Sequence, residues 1–176
     1  MKYILLLGIV FSSTTLSAQL TFESQQENFK VEIPVEPTEK IDTIQSDYGP
    51  IPRYLMLCKS VDHGRNLLYS VEIMNIENNQ ELTFEDLKAN YISRKQAISG
   101  NISFELVRES NVDIPEPYNI ELVFLDRNGF LMYSRIIQKD SKFYIIETLR
   151  VKSQFKVGSK LNKATREFFD SFELLN

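Results

Sequence analysis

The sequence predicts an α+β fold, an antiparallel sheet of about six strands sandwiched between helices. Three observations predict it. Alternating or continuous apolar runs, bounded by Gly, Pro and Asn turn signals, recur along the 176 residues and read as strands. Two segments, one over residues 84–99 and one from Ser159 onward, change to helical spacing. The composition is 43% hydrophobic and 25% charged, with six Gly and six Pro. That is ordinary globular composition, enough for one domain with a real core, assigned to residues 19–176.

The chain begins MKYILLLGIVFSSTTLSA. Lys2 precedes a short apolar stretch, Tyr3 to Phe11, too short to span a bilayer. Small and polar residues follow as far as Ala18. Residues 1–18 therefore read as a secretory signal peptide cut after Ala18, which implies a secreted or periplasmic product. A lipoprotein signal needs a cysteine at the cut, and Cys58 is the only cysteine, so a lipid anchor is not expected.

Next comes Phe29 to Ile33, where Phe29, Val31 and Ile33 share one face and Lys30 and Glu32 the other. This is a strand with one wet face, ended by Pro34 and Pro37. A polar alternating segment leads to a break at Gly49-Pro50, then to strands at about 53–61 and 67–76 around the turn His63-Gly64-Arg65-Asn66. Over 84–99, Phe84, Leu87, Tyr91 and Ile98 fall on one helical face. Thr83 and Asp86 make a capping box, with Asp where Glu or Gln is usual, and Gly100 suits the closing turn.

Strand spacing resumes at Asn101 to Glu109, and a proline-rich connection follows. Three runs between Ile120 and Val151 are apolar on both faces: Ile120, Leu122 and Phe124 on one, Val123 and Leu125 on the other. Central strands covered on both sides read this way. Asn128-Gly129 and Lys139 to Lys142 are their hairpin turns. In the last segment Leu161, Ala164, Thr165, Phe168, Phe169 and Phe172 form an apolar stripe. Phe168 and Phe172 are expected to clamp a final helix to the sheet, with Phe169 at the stripe's edge and Glu167 in water. Asp170-Ser171 close that helix, and Phe172 to Leu175 continue as a short terminal strand.

Phe29-Lys-Val-Glu-Ile-Pro34, the paired strands ending at Val151, and Arg166-Glu-Phe-Phe-Asp-Ser-Phe-Glu-Leu174 follow one another in an order that resembles the PsbP-like fold. That family includes an extrinsic photosystem II protein, a Ran-binding import factor and many small secreted bacterial proteins. The resemblance implies an antiparallel sheet between helices, and a role in binding or assembly rather than catalysis. No photosystem-specific motif is found, so that role is not carried over, and an acidic secreted chain fits a nuclear Ran partner poorly.

The formal net charge of −4 disfavours nucleic acid, which needs a basic surface. No second hydrophobic span suggests a transmembrane segment. His63, the only histidine, lies with Asp62 and Arg65 in a Gly-containing turn; a general base or ligand there competes with a solvated turn. Cys58 lies on an apolar strand and reads as a small buried hydrophobe. Zinc needs more His and Cys than this chain offers. Asp126 to Gly129 lacks most ligands of a calcium loop and reads as a hairpin turn. Asn101-Ile102-Ser103 is a glycosylation sequon.

No catalytic, cofactor-binding or metal residue is therefore assigned, and no cofactor is expected. The leading expectation is a non-enzymatic domain that binds a protein partner of unknown identity or serves envelope assembly. A second is a small-molecule or lipid carrier with a pocket between sheet and helix, motivated by the aromatics and by Met56, Met74 and Met132. A third is a hydrolase or metal enzyme around Asp62 and His63.

Overall fold

A computed structural model describes residues 19–46, 49–60, 66–76, 82–97, 104–111, 118–151 and 161–175. Its main sheet has seven strands. They are β3 (Thr38–Ser46), β4 (Gly49–Lys59), β5 (Leu68–Asn75), β6 (Phe104–Asn111), β7 (Tyr118–Asp126), β8 (Phe130–Lys139) and β9 (Lys142–Val151). Their order across the sheet is β3-β4-β5-β9-β8-β7-β6, and every neighbouring pair is antiparallel. A separate three-stranded sheet joins β1 (Leu20–Ser24), β2 (Phe29–Ile33) and β10 (Glu173–Leu174), with β2 in the middle.

The expectation of about six strands is thus corrected to seven, with a second sheet beside them. Thr38–Ser46 is a full edge strand, and the Gly49-Pro50 break is absent because β4 begins at Gly49. Two prolines sit in β4 without breaking it. Pairing with β5 reaches back only to Arg53, so at Pro50 and Pro52 no ladder on that side needs an N–H. Gly49 supplies the positive φ of 104° at the end of the β3–β4 hairpin.

The strands are apolar on both faces because both faces are covered. Helix α1 (Phe84–Gln96) lies over one face, above a core of Leu87, Tyr91, Leu122, Phe124, Ile136, Phe143 and Ile145. Helix α2 (Lys163–Ser171) and the small sheet cover the other, above Met56, Val71, Ile73, Tyr133 and Ile146. The sandwich is therefore helix, sheet, then helix with a second sheet. Burying each of these large side chains is worth about 1.5–3 kcal/mol.

Local signals read as expected in most places. The capping box holds, with the Thr83 hydroxyl accepting from the Asp86 N–H and the Asp86 carboxylate accepting from the Thr83 N–H. Helix α1 stops at Ala97, earlier than expected; Ile98 to Gly100 lie outside the described residues. The Asn128-Gly129 hairpin is present, but its loop is Arg127, Asn128 and Gly129, with only Gly129 at positive φ, 81°. That is the three-residue hairpin that ends in a left-handed residue, not the two-residue turn.

The terminal phenylalanines clamp as expected, with one correction. Phe168 is 2% exposed and Phe169 1%, so Phe169 is not at the stripe's edge. Phe168 packs edge-on to Tyr69, with ring centroids 5.1 Å apart. The Arg135 guanidinium sits 4.9 Å above the Phe169 ring and donates to the Phe169 carbonyl. Phe172 stacks on Phe29 at 5.6 Å and meets Tyr144 edge-on. A buried hydroxyl fastens the start of α2: Thr165 accepts from Asn66 Nδ2 at 3.1 Å and lies 3.1 Å from the Thr148 hydroxyl.

Candidate functional site

Register places a polar row across the middle of the face that α1 covers. Leu57, Ser70, Glu147, Ser134 and Leu122 lie side by side on β4, β5, β9, β8 and β7. One step along, Glu72 sits between Leu55 and Ile145. Glu147 is 7% exposed and Glu72 5%. Two buried carboxylates on one sheet face are costly unless cations and donors meet them.

Helix α1 brings those partners. Lys95 Nζ lies 2.8 Å from Glu147. Tyr91, fully buried, donates its hydroxyl to Glu147 and lies 2.6 Å from the Ser134 hydroxyl. Ser70 donates to Glu147 at 3.4 Å. Glu72 lies between Arg94, at 3.2 Å, and Arg53, at 3.6 Å. Arg53 also grips Asp42 with two hydrogen bonds of 2.7 and 2.6 Å.

The charges tune one another. Burial alone would raise the Glu147 pKa, but the Lys95 ammonium, the Tyr91 hydroxyl and Arg94 outweigh it and hold the carboxyl below its usual range. Burial, and then the Glu147 charge, push the Tyr91 phenol well above its ordinary value. The cluster is thus a carboxylate neutralised in place beside a phenol that keeps its proton. Its chemistry is ionic and positional. Among the described residues Arg94 Nε and Nη2 are buried and meet no hydrogen-bond partner.

An open groove of about 420 Å³ lies at the C-terminal end of α1, lined by Gln96, Phe104, Glu105, Leu125, Asp126 and Arg127. Its lining mixes apolar side chains with charges of both signs.

Asp62, His63, Arg65 and the Asn101 sequon lie outside the described residues. Cys58 is on β4, 0% exposed, and burial pushes its thiol up to about 11. Asp126 is 3% exposed, and its carboxylate accepts from the Phe130 N–H and from Asn128 Nδ2; it is a turn anchor. Met56, Met74 and Met132 are core residues, as are Tyr54, Tyr69, Tyr91, Tyr133 and Tyr144. No group of three or more His, Cys, Asp or Glu among the described residues is placed to hold a metal ion. No described helix is long and apolar enough to cross a membrane.

Glu72, Glu147, Arg94 and Lys95 were not singled out from sequence. A signal existed for the carboxylates: Glu147 keeps the parity of Phe143 and Ile145, and Glu72 that of Met74, all inward.

No family model matches the chain, and no curated relative matches its sequence. Among solved structures it is similar to cyanobacterial PsbP from Synechocystis, at 11% identity, 92% of this chain, 95% of that chain and a TM-score of 0.62. It is also similar, at 12% identity, 76% of this chain, 83% of that chain and a TM-score of 0.39, to a protein of unknown function from Pseudomonas aeruginosa. The likeness to cyanobacterial PsbP shows that the fold is PsbP-like.

Proposed function

We propose that this chain is a secreted, non-enzymatic domain of PsbP-like fold that binds a protein partner in the cell envelope or outside the cell. The observation that carries the reading is the closed state of its buried charges. Glu147 is met by Lys95, Tyr91 and Ser70, and Glu72 by Arg53 and Arg94. A carboxylate acting as general acid or base needs a pKa near working pH, and any catalytic carboxylate needs a path to substrate. Glu147 has a lowered pKa and lies beneath a helix. These residues hold α1 on the sheet and leave binding to the surface.

The groove at the end of α1 supplies such a surface, with half-buried Leu125 for apolar contact and exposed Glu105 and Arg127 for polar contact. The carrier reading finds less support. Between α1 and the sheet, Tyr91 meets Phe124 edge-on at 5.9 Å, and between α2 and the sheet Phe168 meets Tyr69. At these two points aromatic side chains of helix and sheet meet directly.

The test is mild cross-linking in intact cells that export the chain, with and without Arg127→Glu. A partner band should form and be lost in the variant, and the purified product should begin at Gln19. A product still beginning at Met1 would overturn secretion. Unchanged cross-linking by the variant would overturn the groove. An activity lost on His63→Ala, with the fold intact, would overturn the non-enzymatic reading.

A further inference from the structure

Edge strand β3 presents an open ladder. Pro52 pairs with Thr43 and Pro50 with Gln45. Proline has no N–H to give, so these are non-hydrogen-bonded pairs, in which the backbone groups of both residues point away from each other. Thr43 and Gln45 therefore aim N–H and C=O outward from the sheet. The register runs unbroken from Thr38 to Ser46, so Glu39 and Ile41 do the same. Among the described residues no strand lies beyond β3 in the sheet order. Ile41 is 69% exposed, the most exposed large hydrophobic among the described residues, and the neighbouring Lys40 side chain is 64% exposed.

We propose that β3 pairs antiparallel with β3 of a second copy about a two-fold axis at Ile41, joining two seven-stranded sheets into one. The sequence of the strand chooses this occupant and this register. With the axis at Ile41, Ile41 meets Ile41 of the second copy as a hydrogen-bonded pair. Lys40 faces Asp42 of the second copy, and Glu39 faces Thr43. The Lys40–Asp42 pairs fall at non-hydrogen-bonded positions, where side chains approach most closely. Asp42 is already fixed by Arg53 and lies 2.6 Å from its own Lys40, so two copies bring four alternating charges together. An axis at Lys40 or Asp42 would set like charges opposite. An axis at Glu39 or Thr43 would leave Ile41 against Pro37 or Gln45. A self-complementary patch of this kind is what a two-fold interface requires. It also covers an edge that otherwise invites indiscriminate pairing.

Sedimentation velocity of the purified chain, run over a hundredfold concentration range, should show a monomer–dimer equilibrium. Thr43→Pro removes an outward N–H and none of the β3–β4 bonds, so it should give a monomer with an unchanged circular dichroism spectrum. Cysteine pairs test the register. Ile41→Cys should cross-link to itself on mild oxidation, because opposed Cα atoms in such a pair lie about 5.5 Å apart. Thr43→Cys alone should not, since its two copies would be roughly 14 Å apart, whereas mixing Glu39→Cys with Thr43→Cys should. Cys58 is buried and stays out of the reaction. A chain that sediments as a monomer throughout overturns the proposal. So does a dimer that survives Thr43→Pro, or one in which Thr43→Cys links to itself as fast as Ile41→Cys.

Discussion

Replacing Lys95 with Met keeps most of the side chain's length and removes the ammonium 2.8 Å from Glu147. The carboxylate then stays buried with Tyr91 and Ser70 as donors and Arg94 as a more distant charge. Breaking a buried ion pair by removing one partner costs about 3–5 kcal/mol. The remaining donors place this case near the lower end, about 3 kcal/mol. The pH dependence gives the sharper test. In the wild type the Glu147 pKa is lowered on folding, so its contribution is complete above the unfolded carboxyl pKa and is lost as pH falls through the folded value. In Lys95→Met burial is offset only by the Tyr91 hydroxyl and Arg94, so the folded pKa rises above that of the wild type. That variant regains stability relative to wild type on acidification, as Glu147 takes up its proton. Urea melts at pH 7 and pH 5, read at constant m-value, should show the gap between the two proteins narrowing at pH 5. A gap under about 1 kcal/mol at pH 7, or one that stays constant with pH, would show that Lys95 does not neutralise a buried Glu147.

At the C-terminal clamp, Phe168→Ala and Phe169→Ala should each cost about 3–5 kcal/mol, and Glu167→Ala under about 0.5 kcal/mol, by the same urea melts. A Phe169→Ala that melts like wild type would refute its burial. The Cys58 thiol should resist iodoacetamide at pH 8 in the native protein and react at once in denaturant, since it is buried and its pKa lies near 11. Thr83→Ala removes the capping hydroxyl of α1 and should cost about 1 kcal/mol, while Thr83→Ser should cost little.

Much of this fold was legible because period and burial agree. The strands β7, β8 and β9 carry apolar residues on both faces over most of their length, so their central place could be read directly. Helix α2 declared itself through Thr165, Phe168 and Phe169. Strand β3 was hidden because an edge strand needs few apolar residues: Glu39, Lys40 and Asp42 face water or other charges, and only Ile41 and Ile44 suggest a sheet. Strand β1, with Leu20 and Phe22 its only large apolar residues, was missed for the same reason. The charge cluster was missed on different grounds. Glu72 and Glu147 lie 75 residues apart in sequence and become neighbours only through the β5–β9 pairing, which no local pattern encodes. Their inward parity was visible, but the cations that tolerate it come from a helix whose docking is a tertiary fact.

Strand β2 carries a consequence for the order of events during folding. It forms near the start of the described chain, yet its partner β10 and its stacking ring Phe172 come from the far end, and the Leu175 N–H reaches back to the Asn28 carbonyl at 2.9 Å. Until residues 168–175 have arrived, β2 lacks its pairing with β10 and Phe29 lacks its stacking ring Phe172, and the sheet face that α2 covers stands partly open. Closing contacts across such a sequence separation comes late and slowly. The nascent chain therefore spends its synthesis as an incomplete sheet, exposed to whatever holds unfolded polypeptides. The last turn of helix acts as the latch that ends that interval.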